Sequence, residues 1–464
     1  MNNEKINLPE NFISKMKASL GDEYPLFEAS FNDNQSKGVH LNTKFVDNET
    51  FENLGLGFEK LPYGSNLYKS SYEKIGSNPL SHAGIVYSQD PGAMMPVAGF
   101  KYPLPDRAIV LDMCSAPGGK TSQLVNMLDD TSIVIANEVN PARNKILQSN
   151  IERMGYKNVI VTKMYSEDIA SYFHSAFDLI LVDAPCSGEG MFRKYPESIN
   201  EWSPENVIMC SERQRGIVSD VYNALKPGGY LIYSTCTYSK EENEDIVNFL
   251  ISDFDMELMD VSEDIIPFSR SYMNDSNNPG RHFYPHISYG EGQYMCILRK
   301  KGELTKNSSY PIKLKALNSK ELSLIGDALK NNKKLVMQNG IKYYSLNQSV
   351  IAIPDEIIID NTLPFIIPNK SVERLFTIAG VFEKNRFTPH HNLFKAYSHL
   401  FDNKLDLEPD DDNLLKYLKG EEIYNESAAN GYGVITCKNA PIGGYKASGG
   451  RLKNHYPKGL RNLN

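Results

Sequence analysis

Long apolar runs are missing from this chain. No stretch of about eighteen apolar residues occurs anywhere, and no apolar segment follows the charges of the opening Met1-Asn-Asn-Glu-Lys-Ile-Asn-Leu-Pro-Glu10. The sequence therefore predicts neither a membrane span nor a signal peptide, and points to a cytoplasmic protein. Cysteine is sparse: six residues, at 114, 186, 210, 236, 296 and 437, with no CxxC pair or other zinc-ligand spacing. That scatter predicts free thiols in a reducing compartment and no metal centre. His390-His391 lacks a third ligand at a helical spacing, which predicts a surface role. A positive excess is lacking too. The formal charge of −8 argues against nucleic acid as a partner, although a mean hides its distribution.

What is present is ordinary in bulk. With 464 residues, 41% hydrophobic and 23% charged, the composition is that of a soluble globular protein of two or three domains. From Gly431 to the end, however, Lys438, Lys446, Arg451, Lys453, Lys458 and Arg461 stand without one Asp or Glu, interleaved with Tyr445, His455, Tyr456 and several glycines. This tail is either a solvated, flexible terminus or a surface for phosphates and stacked bases.

Two aliphatic runs end in chemistry. Leu179-Ile-Leu-Val-Asp183 opens into Ala-Pro-Cys186-Ser-Gly-Glu-Gly-Met-Phe-Arg-Lys194, and Gly228-Gly-Tyr-Leu-Ile-Tyr-Ser-Thr-Cys236-Thr-Tyr238 repeats the design. Buried strands that end on a carboxylate or thiol are how open α/β sheets present reactive groups. Cysteine is also a small hydrophobe that often sits inert in a core, so each thiol alone is a weak signal.

Along the chain, Pro9 to Leu20 has helical spacing, with Phe12, Ile13, Met16 and Leu20 on one face. Gln89-Asp-Pro-Gly-Ala-Met-Met-Pro96 reads as a turn. Ala108 to Met113 is a buried strand running into Cys114-Ser115-Ala116-Pro117-Gly118-Gly119-Lys120-Thr121 and then a helix, the geometry that brings backbone N–H groups against a ligand. The next strand, Ser132 to Ala136, ends at Glu138, near the spacing at which an acid takes a ribose diol. Asn140-Pro141 caps a helix whose buried stripe is Ile146/Leu147, Ile151 and Met154, with Gly155 as the stop. Strands follow at 158–162 and 177–182, and a long helix opens at Ser203-Pro204-Glu205. Tyr294 to Leu298 is expected to be the last strand. Tyr343 to Pro354 has the pattern of a hairpin.

The alternation means α/β: a Rossmann-like, mostly parallel, doubly wound sheet with its sites at the carboxyl edge. The boundaries expected are an N-terminal α+β extension over 1–95, the core over 96–302 and a C-terminal region over 303–464. Gly119-Lys120-Thr121 invites a nucleoside-triphosphate reading, but the first glycine of a P-loop would fall on Cys114. A glycine turn with a ribose acid and no dinucleotide pattern fits a mononucleoside-like cofactor such as S-adenosylmethionine.

The motifs at 114–121, 183–194 and Ser234-Thr-Cys-Thr-Tyr-Ser-Lys-Glu-Glu-Asn-Glu244 together closely resemble the signatures of the Fmu/Sun family of RNA (cytosine-5) methyltransferases. Gln89-Asp-Pro-Gly-Ala-Met94, Lys384-Asn-Arg-Phe387 and Lys446 to Arg461 look like its RsmF branch, which acts on small-subunit (16S) ribosomal RNA. The resemblance implies a Rossmann-like methyltransferase core with a C-terminal PUA-like RNA-binding region, S-adenosylmethionine as cofactor, rRNA as partner and a monomer. It also implies Cys236 as nucleophile at cytosine C6, Cys186 as the helper in product release, and Asp183 on the base. Residues 114–120 would cradle the cofactor, with Glu138 on its ribose and Arg143 and Asp183 beside it, while Lys194 supports the RNA or the thiolate. A transfer RNA substrate, or a non-catalytic RNA-binding assembly protein on the same fold, remain the alternatives. The segment Thr162 to Asp168 aligns ambiguously, so no adenine ligand is assigned.

Overall fold

The computed structural model describes residues 6–271, 280–306, 308–336, 340–366 and 371–461. Its centre is a nine-stranded sheet, labelled here β1 (Ile109–Asp112), β2 (Ile133–Asn137), β3 (Val159–Thr162), β4 (Phe177–Asp183), β5 (Leu225–Thr235), β6 (Met256–Met259), β7 (Arg281–Phe283), β8 (Gln293–Lys300) and β9 (Val372–Leu375). The spatial order is β6-β8-β5-β4-β1-β2-β3-β9, with β7 also paired to β8. The block from β5 to β3 is parallel, and β6, β7, β8 and β9 are antiparallel additions.

The parallel strands read as continuous aliphatic runs because both of their faces are covered. Ile109, Leu111, Ile180 and Val182 enter one apolar layer, and Val110, Leu179 and Leu181 enter the other. Each such fully buried side chain contributes about 1.5–3 kcal/mol. Helix Pro141–Met154 starts on Asn140, whose Oδ1 accepts from the Ala142 and Arg143 N–H groups, and stops at Gly155 with φ +70°. It buries Leu147, Ile151 and Met154, whereas Ile146 points outward, 53% exposed, so the expected stripe is narrower by one residue.

Three further expectations need correction. The turn at 89–96 is a helix, Pro91–Ala98: Asp90 Oδ1 caps the Gly92 and Ala93 N–H groups, and Pro91 sits where a first helical residue has no N–H to lose. Strand β8 is not the last of the sheet, since β9 pairs antiparallel with β3 from far along the chain. His391 is buried in helix His391–Ala396 rather than at the surface.

Helix Glu10–Leu20 inserts Phe12 against Phe192, centroids 5.1 Å apart, and Trp202, 6.1 Å, so the N-terminal region packs on the loop that carries Cys186. A four-stranded antiparallel sheet follows, in the order 58–60, 67–70, 38–41, 86–89. Ile341–Leu346 and Ser349–Pro354 form the expected hairpin, within one five-stranded sheet. The residues from Gly431 onward are folded: Gly431–Cys437, Ala440–Ser448 and Arg451–Asn454 are strands of a second five-stranded sheet, whose core includes Ile435, Ile442 and Leu452. The flexible-terminus reading is thereby overturned for 431–461, and residues 462–464 lie outside the described residues. Among the described residues no helix is long and apolar enough to cross a membrane.

Candidate active site

The carboxyl ends of β1, β4 and β5 converge on a cavity of about 440 Å³. Its wall takes Asp112, Cys114, Ser115, Ala116, Pro117, Gly119 and Lys120 from the glycine turn, with Arg143, Asp183, Lys194, Cys236 and Gln293. The turn leaves β1 with Ser115 Oγ donating to the Asp112 carbonyl, 2.6 Å, and reverses at Gly118, whose φ of +110° suits glycine. Its carbonyls are tied from outside: Tyr87 Oη and Asn150 Nδ2 donate to Pro117 O at 3.0 and 2.9 Å, and an Arg143 guanidinium nitrogen donates to Ala116 O at 2.7 Å. A Cβ on Gly119 would come to 3.0 Å of Gln89 Cδ, so the turn lies against the N-terminal sheet.

Carboxylates dominate the electrostatics. Asp112 is buried; Oδ2 accepts from Thr121 Oγ1 at 2.6 Å, while Oδ1 has no hydrogen-bond partner among the described residues. Burial pushes its pKa up to about 7 against the opposing pull of the Thr121 hydrogen bond. Both oxygens of Asp183 are partnered: Lys120 Nζ donates to Oδ2 at 2.7 Å, and Ser234 Oγ and Gln293 Nε2 donate to Oδ1 at 2.7 and 3.3 Å. Glu138 is buried, its Oε1 accepting from the Asn140 N–H at 2.9 Å and its Oε2 lying 3.5 Å from Arg143. Arg143, not Glu138, forms the cavity wall.

The two cysteines at the strand ends meet. Cys186 Sγ lies 3.2 Å from Cys236 Sγ. The hydrogen bond to Cys236, then burial, raise the Cys186 pKa, so Cys186 keeps its proton; either sulfur can donate in the pair. Glu242 accepts from Ser187 N, 3.0 Å, Ser187 Oγ and Gln214 Nε2, 2.9 Å, and burial pushes it up to about 7. Glu189 braces the other loop from within, accepting from Tyr238 N at 3.0 Å and Ser239 Oγ at 2.7 Å. Cys114, in contrast, is raised by burial and nearby acids, which makes it a poor nucleophile. Lys194 stands at the rim, its Nζ 5.5 Å over the Tyr195 ring.

Several of these residues carried no chemical signal in the sequence. Asp112 falls inside an expected strand, Gln293 just before one, and Gln89, Asp90 and Ala93 in an expected turn, yet all of them reach the cavity wall, as does Tyr87. Glu189 and Glu242 lay inside the quoted motifs, and that was the available signal.

A glycine turn at the end of the first parallel strand, strand-end acids and a cavity at the carboxyl edge define a Rossmann-like methyltransferase of the S-adenosylmethionine-dependent class. Comparison with known proteins agrees. The model of the 16S rRNA methyltransferase RsmB/F family matches residues 103–299, that of the N-terminal domain of 16S rRNA methyltransferase RsmF matches 8–91, and that of the methyltransferase RsmF PUA domain matches 404–462. Ribosomal RNA small subunit methyltransferase F of Aliivibrio fischeri (strain ATCC 700601 / ES114) is 30% identical over 84% of this chain and 82% of its own length. The protein of that name from Aliivibrio salmonicida (strain LFI1238) is 29% identical over 98% of both. Among solved structures, a methyltransferase homolog protein from Pyrococcus horikoshii superposes with a TM-score of 0.53 at 25% identity, over 64% of this chain and 96% of that one. The chain belongs to the RsmF branch of the 16S rRNA methyltransferase RsmB/F family.

The cofactor of this class is S-adenosylmethionine, and the cavity fits it. The unpartnered oxygen of Asp112 offers an acceptor for an ammonium group on the wall of the cavity that the glycine turn lines.

Proposed function

We propose that this protein methylates C5 of cytosine in small-subunit ribosomal RNA through a covalent adduct at Cys236. The observation that carries this reading is the thiol pair, Sγ to Sγ 3.2 Å, at the rim of the cofactor cavity. Cytosine C5 is a poor nucleophile. Addition of Cys236 Sγ as the thiolate, its proton released to solvent, forms the S–C6 bond and moves the π electron pair of the C5–C6 bond onto C5. Bound S-adenosylmethionine supplies a methyl group on a positively charged sulfur, which C5 can attack. Transfer of the C5 proton to a water molecule then returns the C–H electron pair to the ring, re-forms the C5–C6 double bond and expels the Cys236 sulfur as thiolate. The S–H of Cys186, held protonated beside that sulfur, stabilises the charge as the C6–S bond breaks.

Asp183 stands between cofactor and base, with Lys120 and Ser234 fixing its carboxylate. Residues Cys114 to Lys120 and Arg143 cradle the cofactor. A ribose contact by Glu138 falls to Oε2, since Oε1 is taken by the Asn140 N–H. Lys194, at the rim, meets RNA phosphate. A base inside a duplex cannot reach this site, so the target lies in a loop or is flipped out.

Bisulfite sequencing of total RNA from a strain lacking the gene tests this directly. Loss of 5-methylcytosine from small-subunit rRNA, restored by the intact gene, is the expected result; unchanged rRNA with a loss in transfer RNA would move the substrate.

A further inference from the structure

We infer that Gln293 reads the exocyclic amine of the target base and so sets the preference for cytosine over uracil. The inference rests on the cytosine reading above and concerns the same site.

Gln293 opens β8, whose next residue, Tyr294, pairs with Thr235 immediately before Cys236. It is 2% exposed and lines the cavity with Asp183, Lys120 and Cys236. Its Nε2 donates to Asp183 Oδ1 at 3.3 Å. A carboxylate only accepts, so this contact fixes which way the amide is turned: Nε2 toward Asp183, Oε1 away from it. Among the described residues Oε1 takes no hydrogen bond, and it is not among the fully enclosed atoms left without a partner.

Asp183 itself has little capacity left. An ionised carboxylate offers about four lone-pair positions, and three are taken by donors: Lys120, Ser234 and Gln293. An unoccupied acceptor on the wall shared with Cys236 is the amide oxygen of Gln293. Cytosine presents an N4 amine that donates, while uracil presents O4, which only accepts. A locked amide oxygen hydrogen-bonds the first and repels the second. Were the amide free to flip, Nε2 would serve uracil equally well. The carboxylate of Asp183 therefore confers selectivity through its neighbour as well as by its own contact.

The test uses the full-length protein and small-subunit rRNA transcripts carrying, at the site that the wild type methylates, cytidine, uridine or a 2-pyrimidinone nucleoside that lacks the amine. Methyl transfer from labelled S-adenosylmethionine gives kcat/KM for each. Gln293→Met, which keeps length and loses both polar groups, is expected to lower kcat/KM on cytidine by about tenfold, the worth of one hydrogen bond, and to leave the 2-pyrimidinone value unchanged. The cytidine preference over uridine should shrink in parallel. Equal losses on all three targets would overturn the inference and leave Gln293 a packing residue. Gln293→Asn serves if the Met variant fails to fold, as judged by thermal unfolding and cofactor binding, and the same two outcomes decide. A wild type that puts no methyl on cytidine C5 overturns the cytosine reading and this inference with it, whereas unaltered discrimination by an active variant overturns this inference alone.

Discussion

The cavity at the carboxyl edge and the C-terminal sheet at 404–454 handle charge in opposite ways. At and behind the cavity, charges are drawn into close pairs: Lys120 lies on Asp183 at 2.7 Å, and Arg193 forms a buried pair with Glu291 at 2.9 Å behind the cysteine loop. In the C-terminal sheet Lys438 and Arg451 pair with Glu408 and Glu422, but Lys446, Lys453 and Lys458 are exposed and form no ion pair among the described residues. Lys446 and Lys453 are register partners on adjacent strands, and Lys446 lies 5.0 Å over the Tyr432 ring. On the proposed function, the chemistry rests on a few buried groups and the contact with RNA on several solvated ones. The overall charge of −8 concealed that division.

The largest effect should come from the thiol pair. Cys236→Ala is expected to abolish methyl transfer while calorimetric cofactor binding stays intact; residual turnover near wild type would place the chemistry elsewhere. Cys186→Ala should still form the adduct but release it slowly, giving a retarded protein–RNA band on denaturing gels. Absence of that band would remove Cys186 from release. Both outcomes would mark the cavity as the region where one atom decides.

A smaller, pH-dependent effect separates the regions further. Asp112 and Glu242 are raised by burial to about 7, from an unfolded value near 4. Because the folded protein holds these protons more tightly than the unfolded chain, their contribution to stability is complete below about pH 4 and is lost as pH rises through about 7. Thermal unfolding of the free protein should show that decline, and Asp112→Asn should flatten part of it. Cofactor affinity should move the other way, weakening as pH falls below 7 and Asp112 gains its proton.

The mildest effect belongs to the C-terminal sheet. Replacing Lys446, Lys453 and Lys458 together by alanine should weaken rRNA binding and lower the salt slope by about 2 to 3, with kcat at saturating RNA unchanged. Deleting 431–464 would be a poorer experiment, since it removes three strands and their apolar core. An unaltered salt slope would erase the contrast between the two regions.

Local pattern made the parallel sheet and both thiol loops readable, because strands buried on two faces are aliphatic throughout and their ends carry the polar exceptions. The helix Pro91–Ala98 was misread because Pro-Gly marks turns, yet the same dipeptide suits the first two positions of a helix once Asp90 caps it. Ile146 was placed in the buried stripe because it adjoins Leu147, and only packing tells two neighbours on a helix apart. Gln293 and Asp112 carry no motif of their own; what matters is which carboxylate or unfilled oxygen they bring to the wall, and that depends on strands distant in sequence.

Strand β9 has a bearing on biosynthesis. The edge at β3 stays open, its backbone groups unpaired, until Val372 to Leu375 leave the ribosome and Arg374 can donate to the Tyr156 carbonyl. The sheet that carries the two thiols is thus incomplete when β8 has been made, and it gains its edge strand only after a further stretch of the chain has followed.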